Sequence, residues 1–406
     1  MGKKEKEKIA KNCMVITNHM RSDEGMQIIV APDSYKGSLS ALRVAEAMER
    51  GVGHVFPGAK VLKVPIADGG EGTVDALVVA TGGVKIAHQA KGPLGSPVQA
   101  WWGVLGDEQT AVIEMAAASG LPLVPSEQRN PRIASTYGTG QLIRAALDRG
   151  VKKIIIGIGG SATNDGGTGM AKALGARFLD REGNELPEGG AALADLAAID
   201  LSGFDNRVAG AEILVACDVD NPLCGSRGAS AVYGPQKGAT PQIVQELDAA
   251  LAHFSLIARQ TTGRDIACCA GAGAAGGLGA GLLYFTPAVL RPGVEIVLET
   301  TGFHDLVAEA AFVITGEGRT DFQTAYGKAP VGVAKAAKGH GVPVFCLSGG
   351  FGDGADDVLS HGIDGLINII PRPMTLDECM AQGDGLVEAA AARLCRIIAA
   401  GMRIKS

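Results

Sequence analysis

The chain has 406 residues, 46% of them hydrophobic and 20% charged. That is long enough for two or three globular cores rather than one. A net charge of −6 leaves no overall basic field to attract polyanions, and aromatic residues make up only 4% of the chain. Nucleic acid is therefore not an expected partner. No apolar stretch is long and glycine-poor enough to span a bilayer, so no membrane is expected either. Eight cysteines without a CxxC pair point to a reduced, cytoplasmic chain.

Residues 1–25 open with a charge run, Lys3 to Lys11, and a clean strand pattern begins only at Met26. The first 25 residues read as a disordered extension, with Met26 as the natural start. Gln27–Ala31 is the first expected strand and runs into APDSYKGSLS. Ser40 is placed to cap a helix over Ala41–Gly53. Lys60–Ala67 reads as a second strand, and DGGEGT (68–73) leads from it into a helix over Thr73–Thr81. This β-loop-α repeat is the pattern of a parallel sheet.

The character changes from about Val84. Val98–Leu105 and Thr110–Met115 alternate around Gly106-Asp107, a hairpin signal. A helix is expected from Gly138 to Arg149. Lys152–Gly175 then reads as a buried strand rich in isoleucine, the turn GGSATNDGG and a helix from Thr168. Ile213–Cys217 is a further strand, followed by CDVDNPLCG, and Pro241–Ala258 is a helix. GAGAAGGLGAG (271–281) closes this middle region. The parallel pattern then resumes, with strands at Ala311–Thr315, Val342–Leu347 and Gly365–Ile370 and helices over Gly327–Gly339 and Gly383–Ala400. The fold class that follows is α/β: a flavodoxin/Rossmann-like parallel-sheet domain with a second, mixed α/β domain inserted into it. The expected boundaries are 26–88 with 286–406 for the first domain and 89–285 for the second.

The polar, glycine-rich loops follow strands, where ligands of open α/β sheets bind. They carry Asp33, Ser34 and Lys36; Asp68 and Glu71; Gly159, Gly160, Ser161, Thr163, Asn164 and Asp165; Asp218 and Asn221; Glu317, Arg319 and Asp321. Backbone amides at glycine turns can cradle phosphate, carboxylates can hold Mg²⁺ or take a proton, and cations offset charge. Together these are the needs of phosphoryl transfer. Thr73, Ser38 and Ser40 are better explained as helix caps. No Walker A motif is present. GAGAAG matches the dinucleotide pattern through Gly271, Gly273 and Gly276, which keeps an NAD-dependent hydroxy-acid dehydrogenase as an alternative. Its preceding residues are too small to make a convincing strand, and close helix packing explains the glycines better. A nucleotide-sensing regulator would need a partner surface, and the acidic balance offers no sign of one.

The segments APDSYKGSLSA, PIADGGEGTVDAL, STYGTGQLIRAAL, GIGGSATNDGGTGMAKALGA, ACDVDNPLCG, YGPQKGAT, GAGAAGGLGAGL and VITGEGRTDFQTAYGKAPVGVA resemble, in this order, the glycerate kinase type 1 family. The resemblance runs from about Met26 to the C-terminus. It departs at Cys268-Cys269-Ala270, where relatives often carry a proline. It implies ATP-dependent phosphorylation of D-glycerate, in bacterial members mostly to 2-phosphoglycerate in organic-acid breakdown, with 3-phosphoglycerate as the alternative product. It also implies an active site in the cleft between the domains. On that footing Asp68 and Asp165 are the expected base and Mg²⁺ ligand. Arg319 is the expected anchor of the substrate carboxylate, with Lys36 beside it or on the γ-phosphate. Gly159–Asn164 and Gly271–Gly276 are the expected ATP cradle. Asp33, Ser34, Glu71, Asp218, Asn221, Glu317 and Asp321 are the expected substrate neighbours. Monomer and homodimer both stay open.

Overall fold

The structure, a computed structural model, describes residues 23–67 and 69–404. It divides into two compact units, one of residues 23–67 and 297–404 and one of residues 69–296. Strands are numbered along the whole chain.

The first unit holds β1 (Gln27–Pro32), β2 (Lys60–Lys63), β11 (Ala310–Glu317), β12 (Val344–Ser348) and β13 (Gly365–Asn368). They pair in the order β13-β12-β11-β1-β2, and every pair is parallel. Counted within the unit, this is the 2-1-3-4-5 order of flavodoxin-like sheets, and the order reverses between β1 and β11. All six residues of β1 are buried, as a central parallel strand requires. The expected strand Lys60–Ala67 stops at Lys63. Pro65 follows, and a proline cannot donate to a ladder, yet Val64 and Ile66 still donate to the carbonyls of Val30 and Pro32.

The helix Ala41–Gly53 starts where Ser40 accepts from the Arg43 amide. Its buried Val44, Ala45, Met48 and Val52 recur at helical spacing and meet Val387, Ala391 and Leu394 of the closing helix Gly383–Ile404. The two helices cross closely at Gly51, where a Cβ would stand 2.4 Å from the Glu388 carbonyl oxygen.

The second unit is built on a mixed six-stranded sheet, β10-β9-β6-β5-β4-β3. Its strands are β3 (Val84–Lys91), β4 (Pro97–Val104), β5 (Thr110–Glu114), β6 (Lys153–Gly157), β9 (Glu212–Ala216) and β10 (Val289–Arg291). β4 pairs antiparallel with β3 and β5, while β5, β6, β9 and β10 run parallel. A two-stranded ribbon, β7 (Arg177–Leu179) with β8 (Ala198–Asp200), completes it. Ile154, Ile155 and Ile156 are wholly buried, as the expected isoleucine strand demands.

The boundaries differ from those expected. Residues 69–88 belong to the second unit because the helix Thr73–Thr81 packs on β4 and β5 and β3 joins their sheet. Residues 286–296 belong there because β10 pairs with β9. Residues 1–22 of the expected disordered extension lie outside the described residues. Asp23, at its end, is buried and accepts from the Gly58 amide at 3.0 Å.

Removal of the cap in Ser40→Ala should cost about 1 kcal/mol, read as a lower denaturant midpoint with unchanged slope.

Candidate active site

In the first unit the switch between β1 and β11 sets two loops side by side, residues 33–39 and 318–328. A Cβ at Gly318 would stand 3.2 Å from the Tyr35 Cα and 3.4 Å from the Lys36 nitrogen, so the loops abut. Asp33 accepts from the Ser34 amide at 2.6 Å. The Tyr35 hydroxyl donates to the Leu347 carbonyl at 2.8 Å and ties the first loop to the end of β12. Lys36 is exposed.

Glu317, at the end of β11, is buried and accepts from the hydroxyls of Thr320 and Thr324 at 3.0 and 2.7 Å. Burial raises its carboxyl above the usual range, and the two hydroxyls pull it back. Asp321 caps the short helix Phe322–Ala325 reciprocally with Thr324. Two exposed cations flank it. Arg319 Nε lies 3.8 Å and Lys328 Nζ 3.9 Å from its carboxylate. The sheet edge thus presents Lys36, Arg319 and Lys328 around two carboxylates already engaged in loop hydrogen bonds. This surface suits a small polyanion.

In the second unit the loop after β6 is a buried polar knot. Asp165 is fully buried. One carboxylate oxygen accepts from the Thr136 amide, the Thr136 hydroxyl and the Gly169 amide at 2.8, 2.9 and 3.2 Å, and the other accepts from the Gly167 amide at 3.1 Å. Burial pushes its pKa up, and these four donors work against the shift. The carboxylate joins the start of the helix Tyr137–Asp148 to the start of Thr168–Ala173. It presents no open face to a metal or a substrate hydroxyl. The expected role of Asp165 as base and metal ligand therefore gives way to that of an internal anchor. Asp68, its expected partner, lies outside the described residues.

Lys237, which the sequence offers as a cation near the polar loops, is only 1% exposed. Its ammonium donates to the Ser161 hydroxyl at 2.7 Å and the Thr163 carbonyl at 2.6 Å. Burial draws its pKa down to about 7, against the pull of Asp165. Asn164 Nδ2 donates to the Ser230 hydroxyl at 2.9 Å. Thr163 Oγ1 and Asn164 Oδ1 are buried without a partner among the described residues. The Gly159 amide already donates to the Gly69 carbonyl, whereas Gly160 is exposed and Ser161 is buried.

The second expected part of the cradle is corrected. Gly276 has φ +68°, and a Cβ there would lie 1.9 Å from the Thr163 carbonyl oxygen. At Gly273 it would meet the Pro222 carbonyl at 2.2 Å, and at Gly271 the Leu290 side chain at 2.6 Å. These glycines let backbone pack on backbone, and the Gly273 amide already donates to the Asn221 carbonyl at 2.9 Å. This close packing accounts for the glycines of GAGAAG without a dinucleotide. Asn221 is half-buried and engaged in the loop: it donates to the Arg227 carbonyl and accepts from the Tyr233 hydroxyl.

Asp218 is exposed and accepts from the Gly293 amide, and Glu71 is exposed in the loop before Thr73. Glu114, also missed from the sequence, ends β5 and accepts from the Val74 amide at 2.8 Å, with its pKa raised by burial. The clue was a charged residue closing an otherwise apolar strand. For Lys237 the sequence offered the cation in its glycine-flanked loop but not its burial.

Asp165→Asn should leave the Gly167 amide facing an amide, at roughly 1–3 kcal/mol of stability. The expected result is a lower melting temperature with kcat within a few-fold of wild type wherever the variant is folded. For Lys237 the unfolded chain binds the proton more tightly than the folded one between about pH 7 and the ordinary lysine range. The lysine's contribution therefore improves as pH rises. Wild type should gain stability relative to Lys237→Met between pH 7 and 9, measured by paired thermal melts.

Residues 28–399 match the family model described as the Glycerate kinase family. The chain is 56% identical to glycerate kinase of Halalkalibacterium halodurans, over 90% of this chain and 96% of that protein. It is 48% identical to glycerate 2-kinase of Escherichia coli, over 93% and 99%. The crystal structure of a glycerate kinase 2 from Salmonella typhimurium LT2 superposes with a TM-score of 0.84 at 49% identity, covering 93% of this chain and 99% of that one. With residues 28–399 inside the family model and relatives at this identity over nearly their whole length, the chain belongs to the glycerate kinase family.

Proposed function

We propose that this enzyme transfers the γ-phosphoryl group of ATP to the 2-hydroxyl of D-glycerate, giving 2-phosphoglycerate. The glycerate kinase family and the relatives named glycerate kinase support the reaction class, and the Escherichia coli glycerate 2-kinase supports the 2-position. The structural observation that carries the reading is the gathering of Lys36, Arg319 and Lys328 on the loops beyond β1 and β11. A compact substrate with a carboxylate and a phosphate acceptor needs such cations.

Arg319 serves the glycerate carboxylate, because a guanidinium holds a carboxylate through two parallel hydrogen bonds. Lys36 faces the γ-phosphate. Asp68 is the proposed acceptor of the proton of the attacking hydroxyl. Mg²⁺ would offset phosphate charge when bound. Among the described residues no group of three His, Cys, Asp or Glu side chains could enclose it. Asp165 is engaged by its four donors and Asp68 lies outside the described residues, so no step is assigned to the ion. The reaction belongs in the cytoplasm, where ATP is supplied.

Incubating the protein with D-glycerate and ATP and recording a phosphorus NMR spectrum should give the 2-phosphate; a 3-phosphate signal reverses the regiochemistry, and no transfer rejects the reading. NAD in place of ATP should yield no NADH. Arg319→Lys should raise KM for glycerate at least about tenfold and leave KM for ATP near wild type, since a bidentate contact becomes a point charge.

A further inference from the structure

The first unit carries an unusual concentration of exposed rings. Four aromatic side chains are exposed among the described residues, and three of them lie in the loops after β11 and β12: Phe322 at 50%, Tyr326 at 87% and Phe351 at 48%. In a chain with 17 aromatic residues in all, most rings are needed for the core.

These rings are held on a built surface. The two loops are joined by backbone hydrogen bonds from Thr320 to Gly350 (3.0 Å), from Gly352 to Thr320 (2.8 Å) and from Phe322 to Asp353 (2.8 Å). Thr320 also forms a parallel bridge with Phe351. A Cβ at Gly352 would stand 2.9 Å from Arg319 Nε, and one at Gly354 would stand 2.9 Å from Phe322 Cβ. The ridge is therefore continuous with the cationic surface. Lys328 follows Tyr326 by two residues, and its Nζ stays 3.9 Å from Asp321, too far for a close ion pair to neutralise it. One oxygen of the Asp321 carboxylate also accepts from the Gln323 amide.

We infer that this ridge is the nucleotide site: the adenine of ATP stacks on Phe322, Tyr326 and Phe351, and the phosphates run toward Lys328 and Lys36. The inference rests on the kinase reading above and deepens it, moving the base away from GAGAAG, whose glycines are filled by packing. Exposed rings offer a face to any base, and cations at one end select the phosphate end.

The test is equilibrium binding of ATP and of adenosine, by calorimetry on the full chain, with steady-state kinetics alongside. Phe322→Ala combined with Phe351→Ala, and Tyr326→Ala separately, should weaken both ligands at least about tenfold while KM for glycerate stays within twofold. Lys328→Met should weaken ATP by a similar factor and leave adenosine unchanged. The rings are exposed, so melting temperatures should hold. ATP affinity unchanged in the ring variants overturns the site, as does a shift of oligomeric state by light scattering without loss of ATP affinity, which would make the ridge a contact between copies of this chain. A rise in KM for glycerate alone would hand the ridge to the acid and also overturn it. If wild type binds ATP but does not phosphorylate glycerate, the proposed reaction fails while the binding experiment still decides the ridge.

Discussion

The parallel pairing of β1 with β11 is the constraint on which the first unit depends. It joins residues almost three hundred positions apart in register, Ile28 with Phe312 through Pro32 with Gly316, and Thr315 donates its hydroxyl to the Ala31 carbonyl. The whole second unit lies between these strands in sequence. Because both strands run the same way, both loops leave the same edge of the sheet. Because the strand order reverses there, the two loops flank a crevice at the end of the sheet. Lys36 and Arg319 meet the same edge for this reason. The loops are then fixed by groups of modest individual strength: the Tyr35 hydroxyl on Leu347, two threonine hydroxyls on Glu317 and the reciprocal cap at Asp321.

The second unit achieves its order by different means. Most of its loop after β6 is buried, so its polar groups depend on partners inside the protein, and Thr163 Oγ1 and Asn164 Oδ1 are exceptions among the described residues. Asp165 answers two helix starts at once, Lys237 ties Ser161 to the Thr163 carbonyl, and the left-handed turn at Gly276 lets the Gly276 carbonyl reach the Gly166 amide at 3.0 Å. A buried ammonium with only neutral partners at hydrogen-bond distance is expensive to keep charged, and its depressed pKa expresses that cost. The same burial raises Asp165 and Glu114. Charged side chains that look catalytic in the sequence are here used to hold a glycine-rich loop in one shape. The exposed residue of that loop is Gly160.

Chemistry at the surface and architecture beneath it are thus drawn from the same residue types. Arg319 and Lys328 stay exposed and poorly neutralised, while Lys237 is enclosed. Asp321 and Asp165 both serve helix starts, one at the rim and one in the interior. Exposure, more than residue identity, separates the candidate ligand groups from the scaffold.

The sequence by itself determined the α/β class, the insertion, the order of the main strands and helices and the family, because these depend on apolar period, caps and contiguous motifs. Ser40 as a cap, the buried isoleucines of β6 and the polar loops after strands were all legible in this way. It did not determine that β3 and the helix Thr73–Thr81 belong with the second sheet, since their partners are chosen by pairing beyond the local pattern. Nor could it tell Asp165 from Asp321, or a phosphate cradle from the packed glycines of GAGAAG. Burial and the direction of a carboxylate are properties of neighbours brought in from elsewhere: Thr136 for Asp165, Ser161 for Lys237 and the Thr163 carbonyl for Gly276. Only the tertiary structure supplies those neighbours, and with them the distinction between a group that holds the fold and one that can meet a substrate.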